Sequence, residues 1–294
     1  MTLSDPLREL LGFLGAYLSI GVIGLRYAVL GPVLNRGTGD STRSRLFEDA
    51  GRRAASVGLL GIAISTTLLL ANVVRVANAR HLRIVEVLVA GHAQSAVNMV
   101  LYAVAIVGFG LVMARLETGW PLAAIGTIGA ALSSLLSLRW AAMVNPVHVL
   151  AGSLWIGTLF VLMAIAVPTV LVGPQSSDDK ALTVADLVNA FSPLALTAVA
   201  VLVATGVLTA VRHLKYVAAL WTTSYGQALI VKLCVVAVVL GLGAWNWRRV
   251  RPSLGTPAAA DTLKRSARLE LTFAGLVLII TSVLVSLPSP RLPK

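Results

Sequence analysis

Apolar positions along this chain do not alternate with polar ones. They run on in long blocks, nearly free of charge and separated by short basic patches. Eight blocks can be read directly: Leu10 to Leu25, Ala54 to Val74, Val87 to Ala114, Pro121 to Leu138, Pro146 to Val172, Asn189 to Val211, Gly226 to Trp247 and Leu271 to Leu287. A helix rises about 1.5 Å per residue, so about 20 apolar residues cross about 30 Å of hydrocarbon, and each block approaches that length. Strand-period alternation is missing, which argues against a membrane β-barrel. The pattern predicts an all-α, polytopic membrane protein with eight transmembrane helices.

Composition strengthens this. With 57% hydrophobic and 12% charged residues among 294 and a mean hydropathy of +0.87, a water-soluble chain would carry more apolar surface than its core could bury. A formal charge of +12 would suggest nucleic acid in a soluble domain. Here the Lys and Arg gather at block ends, where they anchor to headgroups, so the lipid bilayer is the expected partner and nucleic acid is not. Met1 to Glu9 lacks a signal-peptide pattern, so the first helix is expected to be retained. Cys234, the single cysteine, has no intrachain disulfide partner.

With eight helices both termini fall on one side. Sorted by loop, nine Lys and Arg lie on that side and thirteen on the other. The positive-inside tendency then puts both termini outside and the first–second and seventh–eighth loops in the cytoplasm. Gly31 to Arg53 and Gly173 to Asp186 are expected as the two longer loops, and His213 to Tyr225 as an interfacial turn or short helix anchored by aromatic residues.

The chain also looks duplicated. A shift of 136 lays Leu18, Ile20, Gly21, Ala28 and Pro32 on Leu154, Ile156, Gly157, Ala164 and Pro168, and a shift of 133 lays Gln94, Gly108 and Gly110 on Gln227, Gly241 and Gly243. Within one membrane domain, 1–294, this predicts two four-helix repeats, 9–140 and 145–288. Four helices is an even number, so the repeats are parallel, related by an axis along the membrane normal.

Candidate chemistry is sparse. The four histidines, His81, His92, His148 and His213, all fall on the outer side in this topology. Imidazole is the commonest nitrogen ligand for copper, zinc and iron, and a thioether adds softness that selects Cu(I). Met99 follows His92 by seven residues on nearly the same helical face, and Met143 precedes His148. His92 and His148 are the expected metal site, Met99 a possible next ligand, and His81, His213 and Met143 capture residues. Core packing is the alternative for the methionines, and a hydrogen bond to a neighbouring helix is the alternative for a lone histidine. Arg26 and Glu270 are expected at one cytoplasmic level, where pairing would lower the cost of both charges. Lys232 is expected to snorkel. No GxxxxGK[ST], HExxH, paired-cysteine site or intramembrane carboxylate pair occurs, so no catalytic residue is assigned and the chain is not expected to be an enzyme.

The second half resembles a known family. Val147-His148-Val149-Leu150-Ala151-Gly152-Ser153-Leu154-Trp155-Ile156-Gly157 is similar to the His-start, Trp-x-Gly helix of the copper-resistance D family of bacterial inner-membrane proteins. Phe191-Ser192-Pro193, Thr205-Gly206, Tyr225-Gly226-Gln227, Lys232-Leu233, Asn246 with Arg248-Arg249, and Arg268-Leu269-Glu270 follow in order. The resemblance implies an eight-helix inner-membrane protein that takes copper from a periplasmic donor protein and passes it across or into the membrane. A fused copper-binding β-sandwich like that of some relatives is not expected. Copper transport or homeostasis is therefore the expected function, with binding that weakens as pH falls through about 6.5 as imidazole protonates. Two rivals are a non-catalytic accessory subunit of a larger membrane complex, and a b-type haem protein held by His92 and His148, which would require both imidazoles at nearly equal depth.

Overall fold

A computed structural model describes residues 4–36, 41–88, 93–133, 135, 140–214, 218–250 and 257–287, and these are almost wholly helical. Seven helices are long and apolar enough to cross a membrane. We label the main helices in chain order: α1 (Asp5–Arg36) and α2 (Ser41–Arg80), α3 (Ala93–Met113), α4 (Gly119–Leu132), α5 (Val144–Val172), α6 (Ser177–His213), α7 (Ser224–Arg248) and α8 (Pro257–Ser286). The shortest, α4, has 14 residues and rises only about 21 Å. At its end the Ser133 hydroxyl sits 2.7 Å from the Ala130 carbonyl and 2.6 Å from Asn98 Oδ1 of α3, a local bond that competes with continuing the α-helical ladder.

The expected loops are largely helix. Of Gly31 to Arg53, residues 31–36 prolong α1 and 41–53 open α2. The α5–α6 connection is short because α6 starts at Ser177, where Ser176 caps it by accepting from the Asp179 N–H at 3.1 Å. Between α6 and α7 a single helical turn, Ala219–Thr222, carries an exposed Trp221.

Two helices form the centre. Over the apolar windows of α1 and α5, 56% is buried, against 11% for α6 and α7. In a bilayer the outer helices therefore turn most of their side chains to lipid, and α1 and α5 turn theirs to protein. They cross where Gly21 meets Gly157. A Cβ on Gly21 would collide with the Gly157 backbone, and one on Gly157 with the Tyr17 carbonyl. Small residues permit that approach, and Thr158 Oγ1 donates across it to the Gly21 carbonyl at 3.2 Å.

The central helices end alike, although α5 has an earlier π-helical stretch, Ser153–Gly157, that α1 lacks. In α1 a π-helical stretch, Leu25–Leu30, is followed by an α-helical segment, Gly31–Arg36, with Pro32 second. In α5 a π-helical stretch, Leu162–Ala166, is followed by Val167–Val172, with Pro168 second. A shift of 136 superposes the two final segments in full.

The halves differ in closure. α1 packs on α2, α2 on α3, α3 on α4 and α4 back on α1. In the second half α5 packs on α6 and α7 on α8, while among the described residues α6 meets α7 and α8 mainly at one end, where Ala210 packs on the cluster of Tyr225, Leu229 and Leu284.

Candidate functional site

The clearest polar constellation inside the bundle lies where α5 meets α6. His148 sits in the first turns of α5, half-buried, with Nδ1 2.8 Å from Thr205 Oγ1 of α6. The Thr205 hydroxyl has a single proton, committed to its own helix, at 2.6 Å from the Val201 carbonyl and 3.3 Å from that of Leu202. Toward His148 the hydroxyl therefore accepts. In the neutral ring this fixes the proton on Nδ1 and leaves the Nε2 lone pair available to a metal. Metal-ligating imidazoles commonly donate their other N–H in this way, which orients the ring.

The rest of the setting follows from α6 and α7. The Leu202 carbonyl lies against the ring, and the Lys232 ammonium of α7 is near enough to act on it through its charge. Gly206 flanks the ring, since a Cβ there would come to 3.5 Å from His148 Cε1. One turn along α5, Gly152 makes room for the Tyr17 phenol of α1. Thr205 and Gly206, adjacent in an apolar helix, thus supply a hydrogen-bond acceptor and the space for the imidazole.

The other expected ligands are distributed as follows. His81 is exposed on the turn that ends α2, with φ 54, and the Leu82 N–H closes that helix end on the Ala77 carbonyl at 2.9 Å. Nearby, Arg83 binds Glu86 at 2.7 Å, and the Arg83 backbone N–H and side chain together hold the Glu86 carboxyl below its ordinary range. Met99 is half-buried in α3. His92 lies outside the described residues. Met143 and His213 belong to described helices, but their side chains lie outside the described set. Among the described residues no group of three or more His, Cys, Asp or Glu is gathered to hold a metal.

The expected Arg26–Glu270 pair does not form. Arg26 binds Glu117 at 2.7 Å and lies over the Trp120 ring at 5.6 Å, because the α3–α4 turn brings a carboxylate to the end of α1. Glu270 is buried and accepts from the Asn246 side-chain amide, whose oxygen in turn accepts from the Ser266 hydroxyl. A wide cleft of about 500 Å³, lined by Thr42, Arg43, Pro174 and Gln175 among others, opens near the start of α2, at the end of the bundle away from His148. Arg43 there is tied to Asp186 at 2.5 Å.

Comparison with known proteins bears on this second half. Residues 185–284 match the family model described as Copper resistance protein D. The chain is 33% identical over 146 residues to the Copper transport protein CutJ of Bacillus subtilis (strain 168), an overlap that spans 50% of this chain and 25% of that protein. No solved structure matches. The segment matched by the family model contains Thr205, Gly206, Lys232, Asn246 and Glu270, and over these residues the chain is similar to copper resistance protein D.

Proposed function

We propose that the protein moves copper across the bacterial inner membrane, receiving it at an outer-facing site centred on His148 Nε2. The observation that carries this reading is the His148–Thr205 bond, which orients the imidazole where α5 meets α6 and leaves Nε2 of the neutral ring available as a ligand. One imidazole does not hold copper alone. His92, Met99, Met143 and His213 are the candidates for completing the coordination, and His81 for capture at the surface. Both termini face the periplasm, a periplasmic protein donates the copper, and the basic α7–α8 connection faces the cytoplasm, as the distribution of Lys and Arg supports. The protein acts as a carrier without chemical turnover of a substrate.

The same reading takes the halves as a tandem duplication, 9–140 and 145–288, supported by the matched π-helical stretches and prolines of α1 and α5 and by the contact between Gly21 and Gly157, which the shift of 136 pairs. Residues on a two-fold axis meet their own counterparts, as these two do.

Purified protein in detergent, equilibrated with Cu(I) under reducing conditions and analysed for bound metal, tests the function. Copper retained by wild type and lost by His148→Ala is the expected result. No copper above background in wild type overturns the proposal and favours an accessory-subunit role.

A further inference from the structure

A second polar cluster lies at the opposite end of α7. Lys232, beside His148, and Asn246 are 14 positions apart, about 21 Å along the helix. Asn246 opens a π-helical stretch, Asn246–Val250, a distortion often found at functional sites. Its amide reaches across to Glu270 of α8, 6% exposed, and Ser266, one turn earlier on α8, donates to the Asn246 oxygen. A carboxylate within a membrane helix that faces protein is costly unless paired. Among the described residues no cation pairs with Glu270. Arg26 of α1 is bound to Glu117 and Arg43 of α2 to Asp186 of α6. Arg248 of α7 and Arg265 and Arg268 of α8 are exposed. α5 contributes no charge but His148, at the far end of the bundle.

We propose that Glu270 is an exchangeable proton site, held by Asn246 and Ser266, whose proton leaves when copper advances through the protein toward the cytoplasmic side. This rests on the copper-transport reading. The donors here are oxygen atoms and an amide, a hard set that suits a proton better than it suits Cu(I). Neutral hydrogen-bond partners can serve either state of the acid: the Asn246 amide donates to the carboxylate and can equally donate to the carbonyl oxygen of the protonated group. A cation that comes near favours the carboxylate, so copper and proton compete for one negative charge. Charge balances: one positive charge arrives and one proton departs to water.

Two readouts on the full-length protein in nanodiscs test this and keep it separate from the transport reading. Infrared difference spectra over a pH titration are expected to contain a carboxylic-acid C=O band that is absent in Glu270→Gln and present in Glu270→Asp. Copper addition under reducing conditions, followed with a pH dye in weak buffer, is expected to release protons from wild type and Glu270→Asp and to fall to background in Glu270→Gln, which still binds copper at the His148 end. A Glu270 carboxyl that stays ionised across the titration, or wild type that releases no more protons than Glu270→Gln with copper in excess over the His148 site, overturns the proposal. If wild type binds no copper the transport reading fails, and the infrared band alone then decides whether Glu270 carries a proton. Size-exclusion profiles matching wild type establish that the variants are folded.

Discussion

Among the described residues the first four helices pack in a closed ring, whereas in the second four α6 and α7 meet mainly at one end, where Ala210 packs on the cluster of Tyr225, Leu229 and Leu284. Where the shift of 136 places His148 and Thr205 in the second half, the first half has Gly12 and Leu69. Gly12 lies against α2, and a Cβ there would come to 3.9 Å from Leu68, ordinary apolar helix packing. The second half has an imidazole in place of glycine and a hydroxyl in place of leucine, so the equivalent interface becomes polar. The polar links of the closed half, such as Ser133 to Asn98 at 2.6 Å, join helices without exposing a lone pair suited to metal.

The largest effect expected is at the crossing that both halves share. Gly157→Leu should force α1 from α5 and destabilise by about 3 kcal/mol or more, read as loss of the monodisperse peak on size-exclusion chromatography. Gly241→Leu on α7, where a Cβ meets nothing within 4 Å, should leave that peak unchanged. Equal damage by both would remove the distinction between a packed centre and a lipid-facing periphery.

His148→Ala should weaken copper binding by more than about a hundredfold, beyond the range typical of an outer-shell partner, in competition titrations with a Cu(I) chelator. Adding the imidazole to the closed half, by Gly12→His, should create no new binding. If it did, the Thr205 acceptor would not be what separates the halves.

Thr205→Val, which removes the acceptor for His148 Nδ1–H, should cost about tenfold in the same titration, while Thr205→Ser should retain wild-type affinity. No change in the valine variant would mean that the ring is oriented by something other than this bond.

The smallest effect belongs to the first half. Glu117 is 65% exposed beside a quarter-exposed Arg26, so Glu117→Gln should cost only about 0.5 kcal/mol, a small drop in midpoint on thermal scanning fluorimetry, with copper binding untouched.

The long apolar helices were legible because hydrocarbon thickness fixes block length, although the fourth block forms a helix of only 14 residues; the crossing of α1 on α5 was not, because the shift of 136 pairs Gly21 with Gly157 without placing them in contact. Nor was the pairing of charges. Arg26 and Glu270 share a depth in sequence reasoning, yet depth does not give azimuth: the α3–α4 turn offered Glu117, and Glu270 turned to Asn246. The extended loops were misjudged because Arg43, Arg45, Arg52 and Arg53 are compatible with a solvated helix as much as with a loop. Thr205 passed unnoticed as a partner of His148, since a threonine in an apolar helix ordinarily satisfies itself on the carbonyl four residues back. That same self-bond makes its oxygen an acceptor, and the Thr205-Gly206 pair, acceptor beside gap, was the available signal.

Copper-edge X-ray absorption on the Cu(I)-loaded, full-length protein reports directly on ligation by His148, because imidazole gives a characteristic outer-shell scattering pattern. That pattern is expected in wild type, with its loss or clear reduction in His148→Ala. Identical spectra from wild type and His148→Ala, both loaded with copper, would contradict it.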